Sequence, residues 1–457
     1  MKVVLVEPAF DERGIVKLHG FKILPYGLLQ LASVTPPGID VEILDEKVQT
    51  LPERIEADLI GISVFTTANA ARAYELAQQY RRDGTLVIMG GAHASALPEE
   101  ALRYADSVVV GEGESVWPEV LRDAERGALK RVYSGGTPEL TQLPTRRPWH
   151  LVPTTRYPAP VVVQTTRGCP VGCEFCSVPA FSGRKMRHKT IDQVLDDIQD
   201  VAGIHTSVYT RLADTVFFLD DSFGTDVLYY KALMQAIVDR GLKFRWVTQA
   251  TTAIAQKRDL LELAEKSGCV GVLIGFESLS QEVLREADKS YRSASYAEII
   301  GKLHDHGIGV EGTFIFGFDH DDDGVFERTV EFCQRTRVNV AQFSSLTPLP
   351  GTRLFERYRK DGRLLYEPWN DPRLWARFNL FESVIRPKQM SPDRLAEGLR
   401  WAYRNFYSLP SLARRFGHHM WRQSPRDTLV TWTLNWGFRH LGTQAAPAVS
   451  MNLTPSG

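Results

Sequence analysis

The sequence predicts an α/β protein built as two successive strand–helix series followed by a helical C-terminal region. Three observations predict it. Short apolar runs alternate with helical patterns and turn residues over residues 1–135. The alternation restarts at Val161-Val162-Val163-Gln164, a buried-strand pattern that leads into Cys169, Cys173 and Cys176. Beyond residue 350 strand candidates become few. A length of 457 residues suits two or three domains, and 43% hydrophobic with 24% charged residues is ordinary for a soluble protein. The net charge of −1 gives no basis for a nucleic-acid partner. No apolar run reaches the roughly 20 residues needed for a transmembrane segment, and Met1-Lys2 leads into a strand rather than a signal peptide.

In the first series the strand candidates are Val3 to Val6, Val41 to Leu44, Leu59 to Val64, Leu86 to Met89 and Val108 to Val110. Ala73, Leu76, Ala77 and Tyr80 mark the apolar face of one connecting helix. Five strands joined by crossovers imply a doubly wound parallel sheet, which binds ligands beyond the carboxyl ends of its strands. The loops there carry Glu7-Pro8-Ala9-Phe10, the hydroxyls of Ser63, Thr66 and Thr67, the Gly90-Gly91-Ala92-His93 run, and the carboxylates of Glu112 and Glu114 on a turn expected to be mobile. No GxGxxG pattern is present, so a dinucleotide site is disfavoured. Gly90 and Gly91 leave backbone open to a ligand.

Residues 136–160, rich in Pro, Thr and Arg, read as a linker. The second series, residues 161–350, adds Val216 to Leu219, Phe244 to Val247, Val270 to Ile274, Gly309 to Phe316 and Ala341 to Leu346 to the strand at Val161. Thr190 with Gln193 forms a capping-box pattern ahead of an apolar stripe of Ile191, Val194, Leu195, Ile198 and Val201. Polar residues at strand ends, where barrel sites form, are Asp220, Asp221, Gln249, Glu277 and Asp319. Three cysteines within eight residues suit three irons of a four-iron four-sulfur (4Fe-4S) cluster and leave the fourth iron open. A zinc knuckle is the alternative; it needs a fourth ligand, and His188 is the nearest candidate. Cys269 and Cys333 lie in apolar stretches and read as buried thiols, and the cysteine usage suits a reducing, cytoplasmic compartment.

Residues 351–442 read as a helical region starting at Ser391-Pro392, with Leu395, Leu399, Ala402 and Phe406 on one face. Trp369, Trp375, Phe378, Phe381, Trp401, Tyr403, Tyr407, Trp421, Trp432 and Trp436 are expected to pack this region onto the second series; lining a substrate or corrin cavity is the alternative. Residues 443–457 read as a disordered tail.

The CxxxCxxC spacing, with Phe175 just before the last cysteine, resembles the radical S-adenosylmethionine (SAM) superfamily. In that family the open iron binds the amino and carboxylate groups of SAM, and one electron cleaves a carbon–sulfur bond to give a 5′-deoxyadenosyl radical. The resemblance implies that Cys169, Cys173 and Cys176 ligate the cluster and that Phe175 lies near the adenine. It implies a partial (β/α)6 barrel for the second series. It gives Asp220 and Asp221, where the family often has Gly-Gly-Glu, the SAM amine, and it places Gly317 near the adenine. It makes Glu277 a SAM contact, the alternative being a salt bridge in the barrel mouth with Lys289 or Arg285.

The first series, through its GG pair and its Gly-Glu-Gly-Glu turn, resembles the cobalamin-binding domain found upstream of the cluster motif in one branch of that superfamily. On this resemblance Ser63, Thr66, Gly90, Gly91, His93, Glu112 and Glu114 are cobalamin-binding candidates. There is a departure: the Asp-x-His-x-x-Gly run common after the first strand is absent, since Glu7 to Gly14 contains no His. His93 is then the candidate cobalt ligand, against the alternative of an ordinary loop histidine. An empty, vestigial crevice is the alternative for the whole domain. The branch implies C-methylation at an unactivated carbon of a small metabolite, with a flavodoxin or ferredoxin as electron donor. Cyclisation, ring contraction or rearrangement without methyl transfer is a rival reading, and a non-catalytic cobalamin or iron–sulfur sensor is another.

Overall fold

The computed structural model describes residues 1–9, 22–82, 84–157, 159, 161–204, 215–419 and 424–444. Most of the loop Glu7 to Gly14, Trp421 and the tail past residue 444 lie outside the described residues. The first sheet contains β1 (Lys2–Glu7), β2 (Asp40–Asp45), β3 (Leu59–Ser63), β4 (Leu86–Gly90), β5 (Ser107–Gly111) and β6 (Val132–Gly136). All pair in parallel, in the order β2-β1-β3-β4-β5-β6. The winding reverses between β1 and β3, so a ligand crevice opens past their carboxyl ends. The helix Ala70–Arg81 buries Ala73, Leu76, Ala77 and Tyr80, the expected face, together with Tyr74. β6 is an addition to the expected five strands. It is an edge strand of sequence VYSGG in which only alternate residues are buried, so its apolar signal is thin.

The second sheet contains β7 (Val161–Val163), β10 (Thr215–Phe223), β11 (Arg245–Ala250), β12 (Cys269–Glu277), β13 (Gly309–Phe316) and β14 (Val340–Ser345). The six strands are parallel, in the order β14-β13-β12-β11-β10-β7, and β14 and β7 remain as edges. This is the partial barrel that the resemblance implied. Between β7 and β10 a short antiparallel pair, β8 (Thr166–Arg167) with β9 (Arg187–His188), was not foreseen. Two-residue strands carry no periodicity to read. The helix Ile191–Val201 opens with the expected capping box, in which Gln193 N–H donates to Thr190 Oγ1 at 3.2 Å and Thr190 N–H donates to Gln193 Oε1 at 3.0 Å.

The helix Pro392–Phe406 is capped by Ser391 and buries Leu395, Leu399, Ala402, Tyr403 and Phe406. It closes one barrel edge chemically. Tyr403 Oη accepts from Phe343 N–H at 3.1 Å and donates to Phe343 O at 2.9 Å; Tyr407 Oη does the same for Ala341 at 3.1 and 2.8 Å. Two tyrosines thus replace a missing neighbour strand along β14. Other rings depart from the expectation. Trp401 and Trp436 are exposed. Trp375 is fully buried against the first sheet's side, where its Nε1–H donates to Glu100 at 2.7 Å. No helix among the described residues is long and apolar enough to cross a membrane.

Candidate active site

The three motif cysteines lie on the loop between β8 and β9, pinched at its base by that strand pair. Gly168 has φ +91°, and a Cβ there would overlap Lys185 O, so only glycine lets the loop fold back. Inside the loop Cys169 N–H donates to Gly183 O at 3.2 Å and Cys176 N–H donates to Cys173 O at 3.2 Å. Burial pushes the Cys173 thiol up to about 11 and the Cys176 thiol to about 12. Such sulfurs become thiolates when cationic iron opposes their charge. Among the described residues no three His, Cys, Asp or Glu side chains gather as they would around one metal ion. A cubane does not require that, because each thiolate takes its own iron. The zinc alternative does require it, and its proposed fourth ligand is not gathered with the three cysteines: His188 sits on β9 at the base of the loop, with Nε2 3.2 Å from Asp226 and its ring 4.4 Å from that of Tyr229. The donor set therefore fits the cluster.

Asp220 needs correction, and Asp221 stands beside it with one bond to the protein. Asp220 is buried and accepts from Thr165 N–H at 2.7 Å, Thr166 N–H at 3.0 Å and Tyr230 Oη–H at 3.1 Å, and it also bonds Thr165 Oγ1. Burial pushes its carboxyl up to about 6 against those bonds. Asp221 accepts from Gly168 N–H at 3.0 Å. Both carboxylates brace the segment that carries the cluster loop, and Asp220 has its oxygens taken within the protein. Glu277, at the end of β12, is paired with Lys289 at 2.5 Å, the salt bridge that stood as its alternative reading. Gln249 lies on the half-buried face of β11, beside Val247. Phe175 is half-buried, edge-on to Phe318 at 6.1 Å. Gly317 has φ +106°, and a Cβ there would lie 2.9 Å from Leu395, so its glycine is explained by packing under the C-terminal helix.

In the first domain the crevice residues divide. Ser63 bonds to Glu7. Among the described residues Thr66 Oγ1 is buried without a hydrogen-bond partner, as are both amide atoms of Asn69, three residues further on. A buried polar atom left unpaired costs about 1–3 kcal/mol, so orphans at the switch point fit a polar ligand such as the nucleotide tail of cobalamin. Gly91 has φ +102°, and a Cβ would lie 2.8 Å from the Val64 carbonyl carbon, so the neighbouring loop already requires glycine there. A Cβ at Gly90 would make only ordinary contact with Val109.

His93 and the Gly-Glu-Gly-Glu turn also need correction. His93 is not a loop residue. It is buried in the helix Ala92–Ala96, with Nε2 3.2 Å from Tyr74 Oη and Nδ1 3.3 Å from Thr67 Oγ1, and its ring meets Trp375 edge-on at 5.0 Å. Both nitrogens have partners, so none is left for cobalt. Glu112 and Glu114 are buried, not presented on an open turn. Arg167 Nη1 donates to Glu112 at 2.7 Å and its Nη2 to Glu114 at 2.6 Å, while Arg187 also pairs with Glu112. Sequence reasoning missed both arginines and Asn69; it had Trp375 only among the rings that could line a cavity, and Lys289 only as a partner of Glu277. Arg167 flanks the cysteine motif, which was the one available signal; Arg187 pairs with Glu112 and Trp375 with Glu100, each across a long sequence separation.

Residues 163–333 match the family model of the Radical SAM superfamily, and residues 13–121 match that of the B12 binding domain. The bacteriochlorophyllide d C-12(1)-methyltransferase of Chlorobaculum tepidum is 31% identical over 91% of this chain and 89% of its own length. The bacteriochlorophyllide d C-8(2)-methyltransferase of the same organism is 27% identical over 79% of this chain and 80% of its own. Among solved structures, the cobalamin-dependent SAM radical enzyme OxsB with aqua-cobalamin and SAM bound superposes with a TM-score of 0.69 at 17% identity, covering 96% of this chain and 71% of that one. A corrin-type crevice joined to a three-cysteine barrel thus defines a cobalamin-dependent radical enzyme. The chain belongs to the cobalamin-binding-domain branch of the radical SAM superfamily, and its cofactors are a 4Fe-4S cluster, SAM and cobalamin.

Proposed function

We propose that this protein is a C-methyltransferase acting on an unactivated carbon of a small metabolite, with bacteriochlorophyllide-like rings the first substrates to test. The observation that supports this most is the way the two cofactor-bearing loops face each other. Phe65, exposed beyond β3, meets Phe181 of the cluster loop edge-on at 6.2 Å, and the Glu112 turn grips both stems of that loop. Such an arrangement suits a methyl transfer between neighbouring sites, and the full-length similarity to a methyltransferase points the same way. When bound, the cluster supplies the electron that opens SAM and the corrin supplies the methyl group.

In this reading Cys169, Cys173 and Cys176 hold the cluster. Thr66 and Asn69 satisfy their unpaired groups on the nucleotide tail of cobalamin. Phe175 and Gln249 border SAM, while Asp220 and Asp221 keep the cluster loop in place. Phe217, Leu219, Val247 and Leu273, on the half-buried faces of their strands, keep water from a reactive carbon radical. The electron comes from a flavodoxin- or ferredoxin-type donor in a reducing cytoplasm. The test is mass spectrometry after turnover of anaerobically reconstituted protein with deuterated-methyl SAM and bacteriochlorophyllide d. A product heavier by one deuterated methyl group is expected. Substrate consumed without that mass would favour cyclisation or rearrangement, and absence of 5′-deoxyadenosine would favour a sensor.

A further inference from the structure

We infer that Lys289 and Glu277 form a fixed-charge pair that sets the reduction potential of the cluster held by Cys169, Cys173 and Cys176. This rests on the cluster assignment and is independent of the methyl acceptor.

The pair is buried and specifically accommodated. Lys289 Nζ donates to Glu277 at 2.5 Å and lies 4.5 Å from the centre of the Tyr291 ring, and both charged residues are less than a tenth exposed. Glu277 has φ +61°, a left-handed backbone that costs a residue with a Cβ of order 1–3 kcal/mol. Gly275, two residues earlier on β12, leaves the room the pair occupies: a Cβ there would overlap Glu277 Oε1 and lie 3.1 Å from Lys289 Nζ. The fold thus keeps a strained glutamate and a missing side chain in order to bury two charges at this place.

The place adjoins the cluster loop. Glu174 N–H donates to Ala287 O at 3.1 Å, and Arg353 bridges Gly172 O and Asp288, so the segment leading to Lys289 is laced to the residues on either side of Cys173. A Cβ on Gly172, next to Cys173, would lie 2.9 Å from Asp288 Oδ2, the neighbour of Lys289, so the pair's segment packs directly on the cluster loop. The neighbouring ionised groups, Asp288 with Arg353, Glu174 and Glu286 with Arg357, and Arg184, which donates to Pro170 O, stay constant in the variants below.

The consequence follows from charge alone. The oxidised cluster takes one electron from a one-electron donor; no bond breaks and no proton moves. A nearby cation favours the added negative charge and a nearby carboxylate opposes it, both strongly because the site is buried. Lys289 therefore raises the potential and Glu277 lowers it.

The test is a dithionite-poised redox titration, followed by electron paramagnetic resonance, of reconstituted full-length protein with measured iron content. Lys289→Met is expected to lower the midpoint potential, Glu277→Gln to raise it, and the double variant to fall between. A loosened loop would move both single variants in one direction. Equal potentials, or shifts of one sign, overturn the inference. If Lys289→Met loses its iron, Glu277→Gln decides: a raised potential supports the pair's role, and an unchanged or lowered one overturns it. Wild-type protein that holds no four-iron cluster would overturn the cluster assignment instead.

Discussion

At the scale of single residues the clearest reassignment is His93. Burial lowers its pKa below the usual histidine value, and contact with Glu100 only partly offsets that. In the folded protein it stays neutral where the unfolded chain would take up a proton. As pH falls below about 6.5 the unfolded state then binds more protons, so stability falls with acidification down to the folded pKa. His93→Gln, which keeps a donor and an acceptor between Thr67 and Tyr74, should flatten this dependence in urea melts at pH 7 and pH 5.5. It should also leave the absorption spectrum of bound hydroxocobalamin unchanged; a changed spectrum would restore His93 as a cobalt ligand. Sequence alone could mark His93 and Gly91 as special, but not why. Burial of an imidazole between Tyr74 and Trp375, and a glycine fitted to the Val64 carbonyl, are products of tertiary packing.

At the scale of elements the strands and helices were legible wherever an apolar period ran for three or more residues. β1 to β5 and the six barrel strands meet this condition, apart from shifts at their ends. β6, β8 and β9 do not: they are short, edge-like or glycine-bearing, and exist because a neighbour supplies hydrogen bonds. The helix Pro392–Phe406 shows the other limit. Its apolar face was readable, but Tyr403 counted there only as a ring. Its hydroxyl does separate work by satisfying both backbone groups of Phe343 on the open edge of β14. Tyr403→Phe keeps the ring and leaves a buried N–H and C=O unpaired, at about 1–3 kcal/mol for each group. Denaturant titration should show a loss in that range, and hydrogen exchange should accelerate at the Phe343 amide more than at amides of β12. Uniform acceleration across the sheet would mean that the tyrosine stabilises only by packing.

At the scale of the whole molecule the cofactor assignments were readable from the motifs, but their mutual orientation was not. That orientation depends on four charges from distant parts of the chain. Glu112 and Glu114 come from the turn after β5, while Arg167 and Arg187 come from the two stems of the cluster loop. Arg187 also donates to Pro138 O and Ser182 O, tying the linker and the loop to the same point. Glu114 is held below the usual carboxylate range because Arg167 outweighs the cost of its burial. A buried pair of this kind adds little net stability, but removing one partner strands the other charge at about 3–5 kcal/mol. Glu112→Gln removes the single carboxylate shared by both arginines, so the loop should lose its register against the corrin domain. The expected result is a lower melting temperature, with reconstituted iron falling more than hydroxocobalamin retention, because both stranded arginines belong to the cluster loop. Glu114→Gln, which leaves Glu112 to serve both arginines, should show a smaller effect of the same kind. Equal losses of iron and corrin would point to general unfolding, and unchanged iron with an unchanged melting temperature would show that these charges do not hold the two domains in register.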